Sequence, residues 1–312
     1  MLNIIAITAP LFLLIGLGYG AVRQRLMPME AIPHLGRFVL YCAMPALIFT
    51  TLAGTDIDAV LVPPFIAAYA LGTLLMIGLG LLLTRRLLGQ EPLLAALKTL
   101  GMAVPNTPYF GYPVLLQVLA GAATPAFAMA LLVETLLIIP LMLTLLEFHS
   151  ARAQGKPLGQ ALYRLPGRIL RNPLLIAIAA GITASLIELR LPAPLQASLE
   201  MLSRTSAALA LFVIGGSLVG SRLQGQWRGL GMVLAGKLVL HPLLVALMVW
   251  WLPPFDSRLQ QGVILLAAMP MMSIYPIFGL QYGHRAFASN ALLLTTAAAF
   301  VSLSVILLLL SA

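Results

Sequence analysis

The 312-residue sequence predicts an all-α polytopic membrane protein: ten transmembrane helices in a 5+5 inverted repeat, with the fourth and ninth spans broken as crossover helices. Three observations predict it. Apolar residues (AVILMFWYC) make up 61% of the chain and charged residues only 9%, with a mean hydropathy of +1.03. A soluble domain of this size carries about 25% charge. The basic residues alternate between successive loops, and two proline clusters sit at matching places in the two halves. The first observation excludes a soluble enzyme and a disordered regulator. The net charge of +9 is scattered between apolar runs with no basic stripe, which argues against a nucleic-acid partner.

A helix needs about 20 apolar residues to cross the hydrocarbon core. Ten runs meet that need, at 4–22, 32–53, 61–84, 93–119, 123–146, 173–189, 198–220, 229–252, 258–282 and 287–311. They are long and continuous, without the period-2 alternation of a membrane β-barrel. No charge precedes Arg23 and no cleavage signal follows, so the first run is expected to remain as a helix.

The loops set orientation. The first carries Arg23, Arg25 and Arg37 against Glu30, and the third Arg85, Arg86 and Lys98 against Glu91. The fifth carries Arg152, Lys156, Arg164, Arg168 and Arg171 against Glu147. The seventh has Arg222 and Arg228, and the ninth Arg285. The second holds only Asp56 and Asp58, the fourth no charge. The sixth balances Arg190 and Arg204 with Glu188 and Glu200, and the eighth pairs Asp256 with Arg258. The positive-inside rule puts the odd loops in the cytoplasm and both termini outside, as in a multi-pass protein of the bacterial inner membrane.

The long fifth loop divides the chain into a first five-helix repeat (1–147), a cytoplasmic linker (148–172) and a second repeat (173–312). Five spans per half force opposite orientations. Leu35-Gly36-Arg37 and Leu202-Ser203-Arg204 open the second and seventh spans. Pro105 matches Pro270, and Pro108 matches Pro276, at nearly the same offset. Inverted repeats of this kind mark transporters.

The fourth span contains Pro105, Pro108, Gly111 and Pro113; the ninth contains Pro270 and Pro276. Each proline lacks an N–H and clashes with the carbonyl four residues earlier, so neither span can stay one regular helix. Broken backbone at membrane depth is tolerated where it is buried in protein or lines a cavity. Two ordinary proline kinks are the plain alternative. The functional expectation is that the half-helix N-termini converge on a small anion such as a carboxylate. Asn106, Thr107 and Ser273 would complete the site, Asn106 either holding an oxyanion or capping a half-helix.

Two charges fall inside spans. Lys237 lies about 12 Å deep at helical rise, and Glu134 near the middle of the fifth span. Such charges are functional by default, although a lysine can snorkel and a carboxyl can sit protonated in the core. Lys237 is expected beside the broken helices, neutralising carbonyl ends or attracting an anion. Glu134 is its candidate partner or a proton carrier, and His241 shares the Lys237 face. His34, His149 and His284 fall in loops, so no metal site is expected. The lone Cys42 cannot pair within the chain. The aspartates sit in outer loops, which leaves no Ser-His-Asp set. Glycine-rich cofactor motifs are absent, and no cofactor is expected. Gly16, Gly18 and Gly20 have the spacing of a helix-packing face.

Four segments carry a family resemblance. Tyr41 to Phe49, with Pro45, resembles the Pro-Ala motif of the auxin efflux carrier family. Asn106-Thr107-Pro108-Tyr109-Phe110-Gly111-Tyr112-Pro113 resembles its Asn-Thr/Ser-Gly-Phe-Leu-Gly-x-Pro segment. Gly236 to Pro242 resembles its Lys-x-x-x-x-Pro element, and Ala268 to Gly283 its second crossover helix. The chain is thereby similar to the bacterial permeases of that family, some associated with malonate. The resemblance implies the fold of the bile-acid symporters and sodium–proton antiporters. In that plan spans one, two, six and seven are a scaffold, and the other six spans are a moving transport domain. Asn106, Pro108, Pro270 and Lys237 carry over by motif position. Pro108 stands where the family usually has glycine, which implies a stiffer crossover. Spans three and ten lack the acids of a sodium cluster, which favours a lysine in the cation's place.

Residues and resemblance together predict a secondary transporter (a permease or efflux carrier) for a small organic anion, most simply a carboxylate, working by alternating access in the lipid bilayer. A homodimer is compatible with this. A cation-coupled symporter or sodium–proton antiporter of the same fold is the nearest alternative. A membrane-embedded enzyme or receptor is the alternative of another class.

Overall fold

In the computed structural model, residues 2–54, 61–154, 171, 173–220 and 227–311 are described. Asp56, Asp58, Lys156, Arg164, Arg168 and Arg222, and with them most of the linker, lie outside the described residues. All regular structure among the described residues is helical, apart from one isolated bridge between Pro105 and Met271.

The helices are α1 (Leu2–Arg23), α2 (Ala31–Ala53), α3 (Pro63–Arg86), α4 (Pro92–Ala103), α5 (107–119) and α6 (Ala123–Ala153). After the linker come α7 (Pro173–Leu186), α8 (Ala193–Ser217), α9 (Trp227–Trp251), α10 (Ser257–Ala268), α11 (Tyr275–Gln281) and α12 (Arg285–Ser311). Among the described residues six helices are individually long and apolar enough to cross a membrane: α2, α3, α6, α8, α9 and α12. Large apolar side chains face outward, among them Leu13, Met201, Trp250 and Val301. That outer surface suits lipid rather than water.

Helix starts follow proline and capping chemistry. Proline occupies the first turn of α3, α4 and α8, where its missing N–H costs nothing. Asp256 caps α10, its Oδ1 accepting from Leu259 N at 3.0 Å.

Interior prolines leave a recurrent mark. Four π-turns, at Val39–Ala43, Thr107–Gly111, Glu134–Ile138 and Gly236–Leu240, each end two residues before a proline. Those prolines are Pro45, Pro113, Pro140 and Pro242. A proline cannot bond the carbonyl four residues back and collides with it. Widening the preceding turn by one residue absorbs the misfit, and the residue before each proline then bonds five residues back. Met44 N thus reaches Val39 O, and His241 N reaches Gly236 O. Thr107, Glu134 and Lys237 all lie on these widened turns. Pro45 has the same local role in α2, where it sets the turn that carries Tyr41.

The helices pack in two groups. α1, α2, α7 and α8 pack on one another; α3 packs on α4 and α9, α9 on α10, and α11 on α12. α1 and α8 meet backbone to backbone: a β-carbon on Gly18 would overlap Phe212 O, and one on Gly215 would overlap Ile15 O. Of the three glycines expected to form a packing face, only Gly18 does so. Gly16 and Gly20 face open space, because a helix turns about 100° per residue and one neighbour covers only one of the three.

Two further expectations change. Lys98 does not belong to a loop: it lies inside α4 and is fully buried. Its Nζ donates to Gln90 Oε1 at 3.1 Å and sits 4.8 Å from the Phe287 ring centroid. The sixth helix runs to Ala153, so Glu147 and His149 are helical, and Glu147 Oε1 accepts from Tyr282 OH at 2.9 Å. His34 likewise sits in the first turns of α2. Elongation past residue 146 adds one backbone bond per residue to a helix already nucleated.

Candidate functional site

The chain unwinds twice, at 104–106 between α4 and α5 and at 269–274 between α10 and α11. Val104 precedes Pro105 and Met269 precedes Pro270, and the proline ring drives the residue before it out of the helical region. Val104 accordingly has φ −103° and ψ 112°, and Met269 φ −63° and ψ 151°. The extended segments pair antiparallel: Asn106 N donates to Pro270 O at 2.8 Å and Met272 N to Val104 O at 3.2 Å. This register places Pro105 opposite Met271 as the pair that exchanges no hydrogen bond, so Pro105 loses nothing by lacking an N–H. Each segment satisfies the other's backbone, as burial requires.

Asn106 is buried and occupies the N-cap position of α5, yet its side chain makes no capping bond. Its carbonyl accepts from Phe110 N at 3.0 Å and Gly111 N at 2.9 Å. The side-chain amide is left to line a cavity of about 770 Å³. Val104, Pro105, Pro108, Met272, Ser273 and Ile274 of the crossing line the same cavity, with Tyr41, Tyr109, Glu134, Thr135 and Arg171. Tyr109 OH also donates to Gly36 O of α2 at 2.9 Å, a bond between the two helix groups.

Thr107, Pro270, Lys237 and His241 lie behind this wall, all buried. Glu134 Oε1 accepts from Tyr69 OH at 2.6 Å and from Thr107 Oγ1 at 2.5 Å. Lys237 Nζ donates to Ala267 O at 2.9 Å, in the last turn of α10, and lies 2.9 Å from His241 Nδ1. His241 Nε2 lies 3.0 Å from Thr73 Oγ1. With Nδ1 accepting from the ammonium, Nε2 carries the ring proton and donates to Thr73. The ammonium therefore sits against the negative end of α10. Glu134 and Lys237 make no direct ion pair: each is held by its own hydrogen-bonding partners, across α3.

Sequence reading missed Tyr69, Thr73, Tyr109 and Arg171. The first two lie 65 and 168 residues from the groups they bind. Arg171 reads in sequence as one more topological charge. Tyr109 stands within a quoted motif, but nothing local shows that its hydroxyl reaches α2. The arrangement offers a cavity with an uncommitted amide, a hydroxyl and a guanidinium on its wall, backed by a buried acid and a buried ammonium. Such a cavity suits a small polar or anionic solute. Among the described residues no three His, Cys, Asp or Glu side chains gather as metal ligands.

Comparison with known proteins relates the chain to a family and to a named protein. Residues 3–307 match the family described as membrane transport protein. A protein of Rhizobium meliloti (strain 1021), named "Putative malonate transporter", is 29% identical over 305 residues, spanning 95% of this chain and 92% of that protein.

Proposed function

From the premise that the chain belongs to the membrane transport protein family, that of the auxin efflux carriers, we propose that it is a secondary carrier for small carboxylates. The relative named for malonate makes malonate the first substrate to try. The observation that carries the reading is the crossing itself: two unwound segments bonded to each other beside a cavity, with the Asn106 side-chain amide lining that cavity and without a protein partner among the described residues.

In this reading the chain crosses the bacterial inner membrane ten times, α4 with α5 and α10 with α11 each forming one broken span. The two halves are inverted repeats, and both termini lie outside. Asn106 and Ser273, with the N-terminal turn of α5, hold the carboxylate. Lys237 acts from behind, neutralising the end of α10 so that the crossing is not negative where the anion binds. The group α1, α2, α7 and α8 stays fixed while the remaining helices move past it. The cavity extends towards Arg171, on the side the loop charges assign to the cytoplasm, so the described conformation is inward-open. A potential negative inside favours anion export by about 2.3 kcal/mol per charge per 100 mV. Concentrative uptake needs a coupled ion.

The test is labelled malonate flux into proteoliposomes, with the potential imposed in each direction. The expected result is saturable, potential-sensitive flux, reduced to the protein-free level in an Asn106→Ala, Ser273→Ala double variant. Equal flux through the variant overturns the site.

A further inference from the structure

We propose that Glu134 is the binding site for a proton that travels with the anion, making the protein a proton–carboxylate symporter. This rests on the carboxylate reading and adds the coupling ion.

The argument starts from the two oxygens of one side chain. Oε1 accepts hydrogen bonds from both Tyr69 and Thr107. Among the described residues Oε2 has no protein partner, yet none of their buried side-chain oxygens is left unsatisfied. Glu134 lines the cavity, so Oε2 opens onto it. The carboxyl thus has a route to water on one side and a fixed anchor on the other. The anchor is Thr107, adjacent to Asn106 in the chain. Proton and anion would therefore bind at neighbouring points of one cavity.

The groups around Glu134 leave it as the proton acceptor. From α3 comes Tyr69, already donating. From α5 come Thr107, which donates, and Tyr109, which is committed to Gly36 O. From α9, the Lys237 ammonium is engaged by Ala267 O and His241, and His241 by Thr73. Tyr41 of α2 and Arg171, before α7, stand on the cavity wall. α4 carries Lys98, which turns to Gln90 and Phe287, and Arg258 of α10 is exposed. No side chain forms an ion pair with Glu134 among the described residues. A sodium ion needs several oxygen lone pairs, whereas both hydroxyls at Oε1 direct hydrogens towards the carboxylate.

An anion at Asn106 and an ionised Glu134 are like charges sharing one cavity, and each disfavours the other. Binding of the anion and binding of the proton therefore favour each other, reciprocally. The proton comes from cavity water to Oε2 while the cavity faces one side. It returns to water with the released anion on the other, and no bond other than this O–H forms or breaks. Protonation also removes the charge from the acceptor of Thr107, so the loaded crossing is the one free to move.

The experiment uses the purified full chain in liposomes with the potential clamped at zero and protein-free liposomes as the blank. Exchange of internal unlabelled for external labelled malonate is measured first, because exchange needs no net proton movement. A wild type without exchange overturns the carboxylate reading, and this proposal with it. With exchange present, a one-unit pH gradient, alkaline inside, is imposed. One proton per anion predicts about tenfold accumulation of malonate, since a tenfold concentration ratio balances one pH unit. In Glu134→Gln, whose amide oxygen still accepts from Tyr69 and Thr107, exchange persists and the accumulation ratio falls to about one. Glu134→Asp restores accumulation in part. Exchange by the wild type without gradient-driven accumulation overturns the proposal, as does full accumulation by Glu134→Gln.

Discussion

Substituting Asn106 by alanine is an unusually clean perturbation. All three backbone bonds of this residue survive it: N–H to Pro270 O, and the carbonyl accepting from Phe110 and Gly111. Alanine adopts the same backbone without strain, and the lost side chain makes no capping bond. The crossing should therefore fold unchanged, with Tm within about 2 °C of wild type, since a change of about 1 kcal/mol would be needed to move it further. The substrate loses a hydrogen bond between an amide and a charged carboxylate, worth about 1.5–3 kcal/mol. At about 1.4 kcal/mol per factor of ten, that is about a 10- to 150-fold rise in KM for malonate. The assay pairs concentration-dependent malonate exchange in proteoliposomes with thermal unfolding of the same preparation. A KM within twofold of wild type refutes the assignment of Asn106 to the ligand. A large fall in Tm with proportionate loss of active protein refutes the claim that the amide has no structural duty.

Three other outcomes follow from the same geometry. Lys237→Met leaves Ala267 O and His241 Nδ1 without their donor in the interior, and should cost about 1–3 kcal/mol for each group left unsatisfied, read as a lower Tm in detergent and poor recovery; an unchanged Tm contradicts the placement of the ammonium. Gly215→Val puts a side chain into the α1 backbone at Ile15 O; overpacking costs about 1–3 kcal/mol where neighbours can yield, and backbone cannot, so the variant should not yield folded monodisperse protein, whereas Gly16→Val should behave as wild type. Arg171→Gln removes the guanidinium from the cavity wall and should raise the KM for malonate several-fold with little change in maximal rate or Tm; a lower maximal rate with unchanged KM contradicts a role in anion capture.

The sequence made the two chain breaks legible because proline acts locally: its missing N–H and its restriction of the preceding residue need no tertiary information. Pro105 and Pro270 could be placed in unwound segments for that reason, and Asn106 beside them. That the segments pair with each other, with Pro105 in the position that exchanges no bond, is a property of two stretches 165 residues apart. The same distance hides the partners of the buried charges. Glu134 and Lys237 stand out in apolar runs, but Tyr69 and Thr73 look like ordinary residues of an apolar helix until α6 and α9 are laid beside α3. Lys98 was obscured by its neighbourhood: with Arg85, Arg86 and Glu91 close in sequence, it reads as one more loop charge, whereas α4 starts at Pro92 and carries it inside. The glycines of α1 show the opposite error. Spacing alone suggests a face, and only the α8 backbone decides that Gly18 is the member of it.

The π-turns connect these levels. Proline at 113, 140 and 242 widens the helix turn just before it, and Thr107, Glu134 and Lys237 are the first or second residues of those widened turns. The residues that shape the backbone are thus five or six positions from those proposed to do the work. Widened turns of this kind recur at functional sites.

The most direct test of the central claim, a carboxylate carrier that alternates around the crossing, is trans-stimulation. Unlabelled malonate sealed inside proteoliposomes should accelerate saturable uptake of labelled malonate several-fold over vesicles without it, because a loaded site returns faster than an empty one. Uptake that neither saturates nor responds to internal malonate, or no uptake above protein-free vesicles, would contradict it.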